Sequence, residues 1–173
     1  MENEAALLIS LHEKRPDYLT WEEYFMLVAR VSAMRSKDPN TQVGACLVNS
    51  DHRIVGIGYN GFPKGCHDDF FPWNRDDPDP LKNKYAYVVH AEANAILNKN
   101  TYNGSQDHTL LYCTLFPCHE CAKLIIQSGI TEIIYLEDKY PDSWQGKAAR
   151  VMFNAASISY RLYQGRRDFT ITL

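Results

Sequence analysis

His90-Ala91-Glu92 and Pro117-Cys118-His119-Glu120-Cys121 are the two stretches that decide how this chain folds and what it can do. One neutral imidazole and two thiolates make a borderline-to-soft donor set suited to tetrahedral zinc, which then keeps a fourth position for water. Glu92, two residues beyond the histidine, stands beside such a position without ligating the metal. A carboxylate placed there can take a proton from the water and pass it on. Each motif also falls where a strand-like run gives way to a helix-like one. First-turn N–H groups and the positive end of the helix dipole then face the metal and favour the thiolate form of the cysteines. Cys118 and Cys121, at i and i+3, share one helix face, and His90 reaches in from a neighbouring helix.

Two other uses of a C-x-x-C pair stand beside this one, a redox pair and half of a structural zinc site. A structural site needs a fourth Cys or His at similar spacing. The remaining cysteines, Cys46, Cys66 and Cys113, form no second C-x-x-C. His119 is a formal fourth ligand, but directly after Cys118 on a helix it should point away from the site.

Outward from the motifs, 173 residues suffice for one domain with a sizeable core, here taken as 1–173 with its core at about 17–163. Hydrophobic residues make up 45% and charged residues 23%, an ordinary globular balance. The net charge of −3 supplies no global positive field toward nucleic acid. The apolar patch at Ala5 to Ile9 is flanked by Glu2 and Glu4, where a signal peptide wants positive charge, and no apolar run approaches a membrane span. With an odd number of cysteines, a reducing cytoplasmic address and no membrane partner are expected.

Helix-like and strand-like segments alternate, which predicts an α/β layer architecture. Thr20 and Glu23 form a capping-box pattern opening a helix over about Trp21 to Arg35. Its stripe Tyr24, Leu27, Val28, Val31 and Met34 is expected to be the core face. Val43 to Asn49 and Arg53 to Tyr59, joined by three polar residues with a solvated His52, predict an antiparallel hairpin. The irregular stretch from Asn60 to Asn83 carries four prolines besides Phe62, Phe70, Phe71 and Trp73. It is too long for an idle connector, and its aromatics favour packing over a disordered lid. A helix from the His90 motif to near Lys99 follows. Next come a strand over Thr109 to Thr114, a helix over Cys118 to Gln127 stopped by Gly129, and an apolar, parallel-type strand over Glu132 to Leu136. Ser143 caps a helix to about Ala156, and Ser159 to Tyr163 and Phe169 to Leu173 alternate like strands.

With these motifs in place, the chain resembles the cytidine/deoxycytidylate deaminase superfamily, and within it the nucleotide-level dCMP deaminases, over about Asp17 to Tyr163. Matching stretches beyond the zinc motifs are Arg35-Ser36-Lys37-Asp38-Pro39-Asn40, Gln42 to Cys46, Gly56 to Gly61, Gly65-Cys66, Asp68-Asp69, Pro72-Trp73 and Ala122 to Gln127. The resemblance implies a three-layer α/β/α fold with a five-stranded mixed sheet. It implies zinc-dependent conversion of dCMP and water to dUMP and ammonia, feeding thymidylate synthesis. It further implies that Asn60 hydrogen-bonds the sugar, Val43 packs on the pyrimidine face and the Ala91 N–H reaches the base carbonyl. For the 5′-phosphate, Arg35 and Lys37 are the best local donors, with Lys64 and the Lys139-Tyr140 pair behind them. Members of this family are often hexamers activated by dCTP and inhibited by dTTP. The resemblance places such an effector site, with Mg²⁺ on the triphosphate, at Gly58, Tyr59, Gly61, Gly65, Cys66, Asp68, Asp69 and Trp73. Some phage-type relatives carry a second, structural zinc, but Cys66-His67 comes with no full ligand set for one, and a plain packed Cys66 is expected.

Two rival functions share the motifs. A polynucleotide deaminase acting on tRNA adenosine or single-stranded cytidine would need a basic groove and stacking aromatics, and its binding would fall steeply with salt. A non-catalytic zinc-stapled module would have no use for Glu92.

Overall fold

Thr20 opens the first helix of the described residues, and the geometry shows why it starts there. The Thr20 hydroxyl accepts from the Glu23 N–H at 3.2 Å, and the Glu23 carboxylate accepts from the Thr20 N–H at 2.8 Å. Two donors that the helix leaves orphaned are thereby satisfied. The computed structural model describes residues 14–99 and 108–168. Its elements run α1 (Trp21–Ala33), β1 (Gly44–Val48), β2 (Ile54–Tyr59), α2 (Ala91–Leu97), β3 (Thr109–Leu115), α3 (His119–Gln127), β4 (Ile130–Glu137), α4 (Trp144–Ala155) and β5 (Ser159–Leu162). Two short 3₁₀ turns, Pro80–Lys82 and Lys84–Ala86, lie between β2 and α2. The expected final strand at Phe169 to Leu173 and the N-terminal patch fall outside the described residues.

The five strands form one mixed sheet in the order β2-β1-β3-β4-β5. β1 is antiparallel to both β2 and β3, as a tight hairpin requires, while β3, β4 and β5 run parallel through helical crossovers. α1 covers one face, packing Phe25, Met26 and Ala29 on Cys46, Val48, Tyr112 and Ile134. The other face carries α2, α3 and α4, whose Ala91, Ala95, Ile125, Ala149 and Phe153 meet Ala45, Leu47, Leu111, Cys113 and Ile133. Alternate residues of β1 and β3 thus feed opposite cores, the signature of a sheet buried on both sides. This is the three-layer α/β/α arrangement.

The expected core face of α1 is corrected. Tyr24, Val31 and Met34 are exposed, Val28 alone of the stripe packs half-buried against the core, and the buried face is Phe25, Met26, Ala29 and Ala33. Gly44 explains the choice: a Cβ there would lie 1.9 Å from the Ala29 carbonyl oxygen, so α1 backbone rests directly on β1 backbone. Small alanines allow that approach, and the bulkier stripe cannot. Gly58 does the same for α2, since a Cβ there would come within 2.3 Å of both the Ala91 carbonyl oxygen and the Ala95 nitrogen.

The irregular stretch packs on its own aromatics. The Phe62 and Trp73 rings lie 4.2 Å apart between centroids, and Phe71 meets Tyr87 edge-on at 5.1 Å. Gly61 and Val89 pair as an isolated antiparallel bridge, delivering the chain to His90. His52, expected as a plain solvated turn residue, is exposed but stacks on Trp21 at 4.8 Å. Gly129 ends α3 with φ +74°, the left-handed conformation that glycine adopts without strain.

Candidate active site

One end of the sheet gathers every element that matters. Because β1 is antiparallel to both its neighbours, its start lies between the end of β2 on one side and the end of β3 on the other. Val43, Asn60, Leu115 and the segment after β4 therefore meet there, and the starts of α2 and α3 join them. His90 caps α2 and Cys118 caps α3, each in extended backbone conformation, and neither side chain makes the usual capping hydrogen bond. Their donor atoms are left to converge on each other.

His90 Nδ1 lies 3.4 Å from both Cys118 Sγ and Cys121 Sγ, and the three donor atoms all fall within 4.8 Å of one another. Zinc bonds of ~2.0–2.3 Å give tetrahedral edges of about 3.5–3.8 Å, so the donor set fits the ion. A hydrogen bond from Cys121, and then the His90 ring, hold the Cys118 thiol down to about 3. The same contact with Cys118 raises His90 to about 9. Cys121 is pushed up by its bond to Cys118 and by burial. A dication held by the three would take the place of these shared protons.

Glu92 is 4% exposed, and its Oε2 lies 3.5 Å from Cys121 Sγ. Burial pushes its carboxyl above the ordinary range. His119 stays outside the ligand grouping, as its helix position predicts: its Nε2 meets Glu120 at 3.0 Å and its ring packs on Trp144 at 4.5 Å. Cys66 and His67 are not part of the grouping either.

The site opens on a cavity of about 730 Å³. Val43, Asn60, Ala91 and Tyr140 line it, together with Lys139. Arg35 and Lys37 do not. Arg35 sits 5.9 Å over the Tyr59 ring, and Lys37 is paired with the Asp68 carboxylate. Ser36, between them, turns its hydroxyl onto the Asn60 carbonyl at 2.8 Å. Of the residues expected at an effector site, Gly58 is buried under α2, Gly61 pairs with Val89, and Trp73 rests on Phe62. Asp69 meets His67 at 3.4 Å, Gly65 adopts φ +91°, and Cys66 is half-buried. None of these, nor Tyr59 or Asp68, lines the cavity.

Among the cavity residues that the sequence reading did not single out are Asp38 and Lys84. Lys84 Nζ donates to Asp38 Oδ1 at 2.8 Å and to Oδ2 at 2.6 Å, with side-chain exposures of only 5% and 3%. The Asp38-Pro39-Asn40 turn was the available signal, since an aspartate there accepts backbone N–H groups two and three residues on. It does so from Asn40 at 2.8 Å and Thr41 at 3.2 Å. Nothing local marks Lys84.

The zinc-binding region of the cytidine and deoxycytidylate deaminase family matches residues 19–137. A human deoxycytidylate deaminase is 58% identical over 151 residues, covering 87% of this chain and 84% of the human one. A probable deoxycytidylate deaminase of Drosophila melanogaster is 53% identical over 165 residues, covering 92% and 80%. Among solved structures, a dCMP deaminase of the cyanophage S-TIM5 in complex with dCMP and dUMP shares the fold. Its TM-score is 0.65 at 24% identity, with 87% of this chain and 99% of the phage chain covered. Buried carboxyl, three convergent ligands, mixed sheet and sequence agree, and the chain belongs to the cytidine and deoxycytidylate deaminase family.

Proposed function

We propose that this chain is a zinc-dependent hydrolase converting dCMP and water to dUMP and ammonia, which supplies dUMP for thymidylate synthesis. The observation that carries the reading is the Glu92 carboxyl, buried against the His90, Cys118 and Cys121 grouping at the cavity wall. When bound by those three residues, zinc supplies the Lewis acidity that brings the pKa of its water to about 7. Glu92 receives a proton from the water, places it on the ring nitrogen beside the reacting carbon, and carries a second to the departing amine. A C–O bond forms at that carbon and the C–N bond breaks, with no change of oxidation state.

The other wall residues hold the substrate. Val43 packs on the pyrimidine, the Ala91 N–H at the start of α2 donates to the base carbonyl, and Asn60 meets the sugar. The 5′-phosphate is read by Tyr140 and Lys139, which line the cavity, in preference to Arg35 and Lys37, which do not. Activation by dCTP and inhibition by dTTP, with Mg²⁺ on the triphosphate and assembly as a hexamer, complete the proposal. The effector location follows the resemblance alone, at the Gly58-to-Trp73 stretch, which the Lys37–Asp68 pair ties to the turn carrying Asp38.

Ammonia release from dCMP, CMP, deoxycytidine and dCTP, each with and without dCTP or dTTP as effector, tests the reading. Turnover should be fastest on dCMP. Equal rates on dCMP and deoxycytidine would refute recognition of the phosphate.

A further inference from the structure

The Asp38–Lys84 pair sits in the cavity wall beside Asn60, and hydrogen-bond accounting gives it a purpose. Asn60 is 5% exposed, and its side chain makes three bonds inside the protein. Its Oδ1 accepts from the Val43 N–H at 2.8 Å. Its Nδ2 donates to the Thr41 carbonyl at 3.0 Å and to Asp38 Oδ2 at 3.2 Å. An amide nitrogen carries two hydrogens, so both are spent. Turning the amide over would set its oxygen against a carboxylate and a carbonyl, and its NH₂ against the Val43 N–H. No bond would survive, so the orientation is dictated by the surroundings. What remains free on Asn60 is one lone pair of Oδ1.

We infer that the buried Asp38–Lys84 pair locks Asn60 as a hydrogen-bond acceptor only, so that this wall of the cavity selects a ligand hydroxyl over a ligand acceptor such as a phosphate oxygen or base carbonyl. Asp38 must be ionised to hold both the Asn60 amide and the Asn40 and Thr41 N–H groups. Burial pushes its carboxyl up, but Lys84 and those two N–H groups outweigh it and leave Asp38 below its ordinary range. Without the Lys84 cation, a carboxylate this dry would take up a proton and offer an O–H toward Asn60, and the amide would be free to turn. Lys84 is also fixed through its main chain, its N–H donating to the Asn74 carbonyl at 2.8 Å. The pair thereby clamps the Pro-rich segment to the turn at Asp38. Asp38 and Lys84 are positioning residues acting through Asn60.

The inference rests on a nucleotide occupying the cavity, and the sugar 3′-hydroxyl is then the donor selected. Calorimetry of zinc-loaded protein with dUMP and with 2′,3′-dideoxyuridine monophosphate tests it. Wild type should prefer dUMP by about three- to tenfold, the worth of one neutral hydrogen bond. In Lys84→Met the preference should fall toward parity with zinc content unchanged, and Lys84→Arg should restore it. A merely structural role would lower the melting temperature and leave the preference intact, which would overturn the inference. Should Lys84→Met fail to fold, the charge-neutral Asp38→Asn/Lys84→Met pair carries the same expectation. Independently, NMR of the wild-type Asn60 side-chain amide should show two exchange-protected protons before and after dUMP is added. Rapid exchange in the free protein, or transfer of those protons to the ligand, would overturn the lock. Wild-type protein that binds neither nucleotide would instead refute the proposed function, while the NMR of free protein still decides the lock.

Discussion

Gly58→Ala should damage the enzyme through α2. The added Cβ would sit 2.3 Å from the Ala91 carbonyl oxygen and from the Ala95 nitrogen, where ordinary contact begins at 3.4 Å. Both are helix backbone atoms, so no flexible side chain can give way. α2 must retreat by about 1 Å, the difference between those two distances. The same helix carries His90 at its cap and Glu92 in its first turn, held 3.4 Å and 3.5 Å from their cysteine neighbours. Misplacement of reacting groups by this much costs on the order of 10² in rate. Overpacking of a dense core costs about 1–3 kcal/mol, which lowers the melting temperature of a domain this size by roughly 2–12 °C. Ammonia release from dCMP, zinc per chain and thermal unfolding should be measured together. A variant with wild-type turnover and melting temperature but an altered response to dCTP or dTTP would refute this reasoning. It would return Gly58 to the effector role that the resemblance implied.

Three further perturbations follow from the same structure. Asp38 is held below its ordinary range, so its contribution to stability is fully present above the unfolded carboxyl value of about 3.9 and is lost as pH falls through the lower folded value. Urea unfolding below pH 4 should therefore lose stability less steeply with acid in Asp38→Asn/Lys84→Met than in wild type; equal slopes would contradict it. Burial pushes Cys46 up to about 12 and Cys113 well above its ordinary range, so neither thiol should react in native protein. Alkylation read by mass spectrometry should label half-buried Cys66 in zinc-loaded protein, with Cys118 and Cys121 joining after chelation as activity disappears. Thr20→Ala removes one half of the capping box at α1 and should cost about 0.5–2 kcal/mol while leaving turnover unchanged.

How legible the molecule was depended on the range of the interaction. Within each motif the side chains lie two or three residues apart at a helix start, so their pattern is readable locally, although His90 meets Cys118 and Cys121 only across 28 and 31 residues. The hairpin, the α3 stop at Gly129 and the Thr20 cap are equally local. The α1 face was misjudged because Tyr24, Leu27, Val28, Val31 and Met34 form a valid helical stripe, and so do Phe25, Met26, Ala29 and Ala33. The choice between them is made by Gly44, a residue in another element. Lys84 and Asp38, 46 residues apart, look like ordinary solvated charges in polar loops until folding buries them together. Arg35 and Lys37 were favoured for nearness along the chain, whereas the cavity is lined by Lys139 and Tyr140 from the segment after β4.

The most direct test of the account is Glu92→Gln, assayed for zinc and for ammonia released from dCMP on the same preparation. The account predicts one zinc per chain, an unchanged melting curve, and turnover lowered by roughly 10² to 10⁴. Turnover within a few-fold of wild type, or full activity in protein stripped of metal, would contradict it.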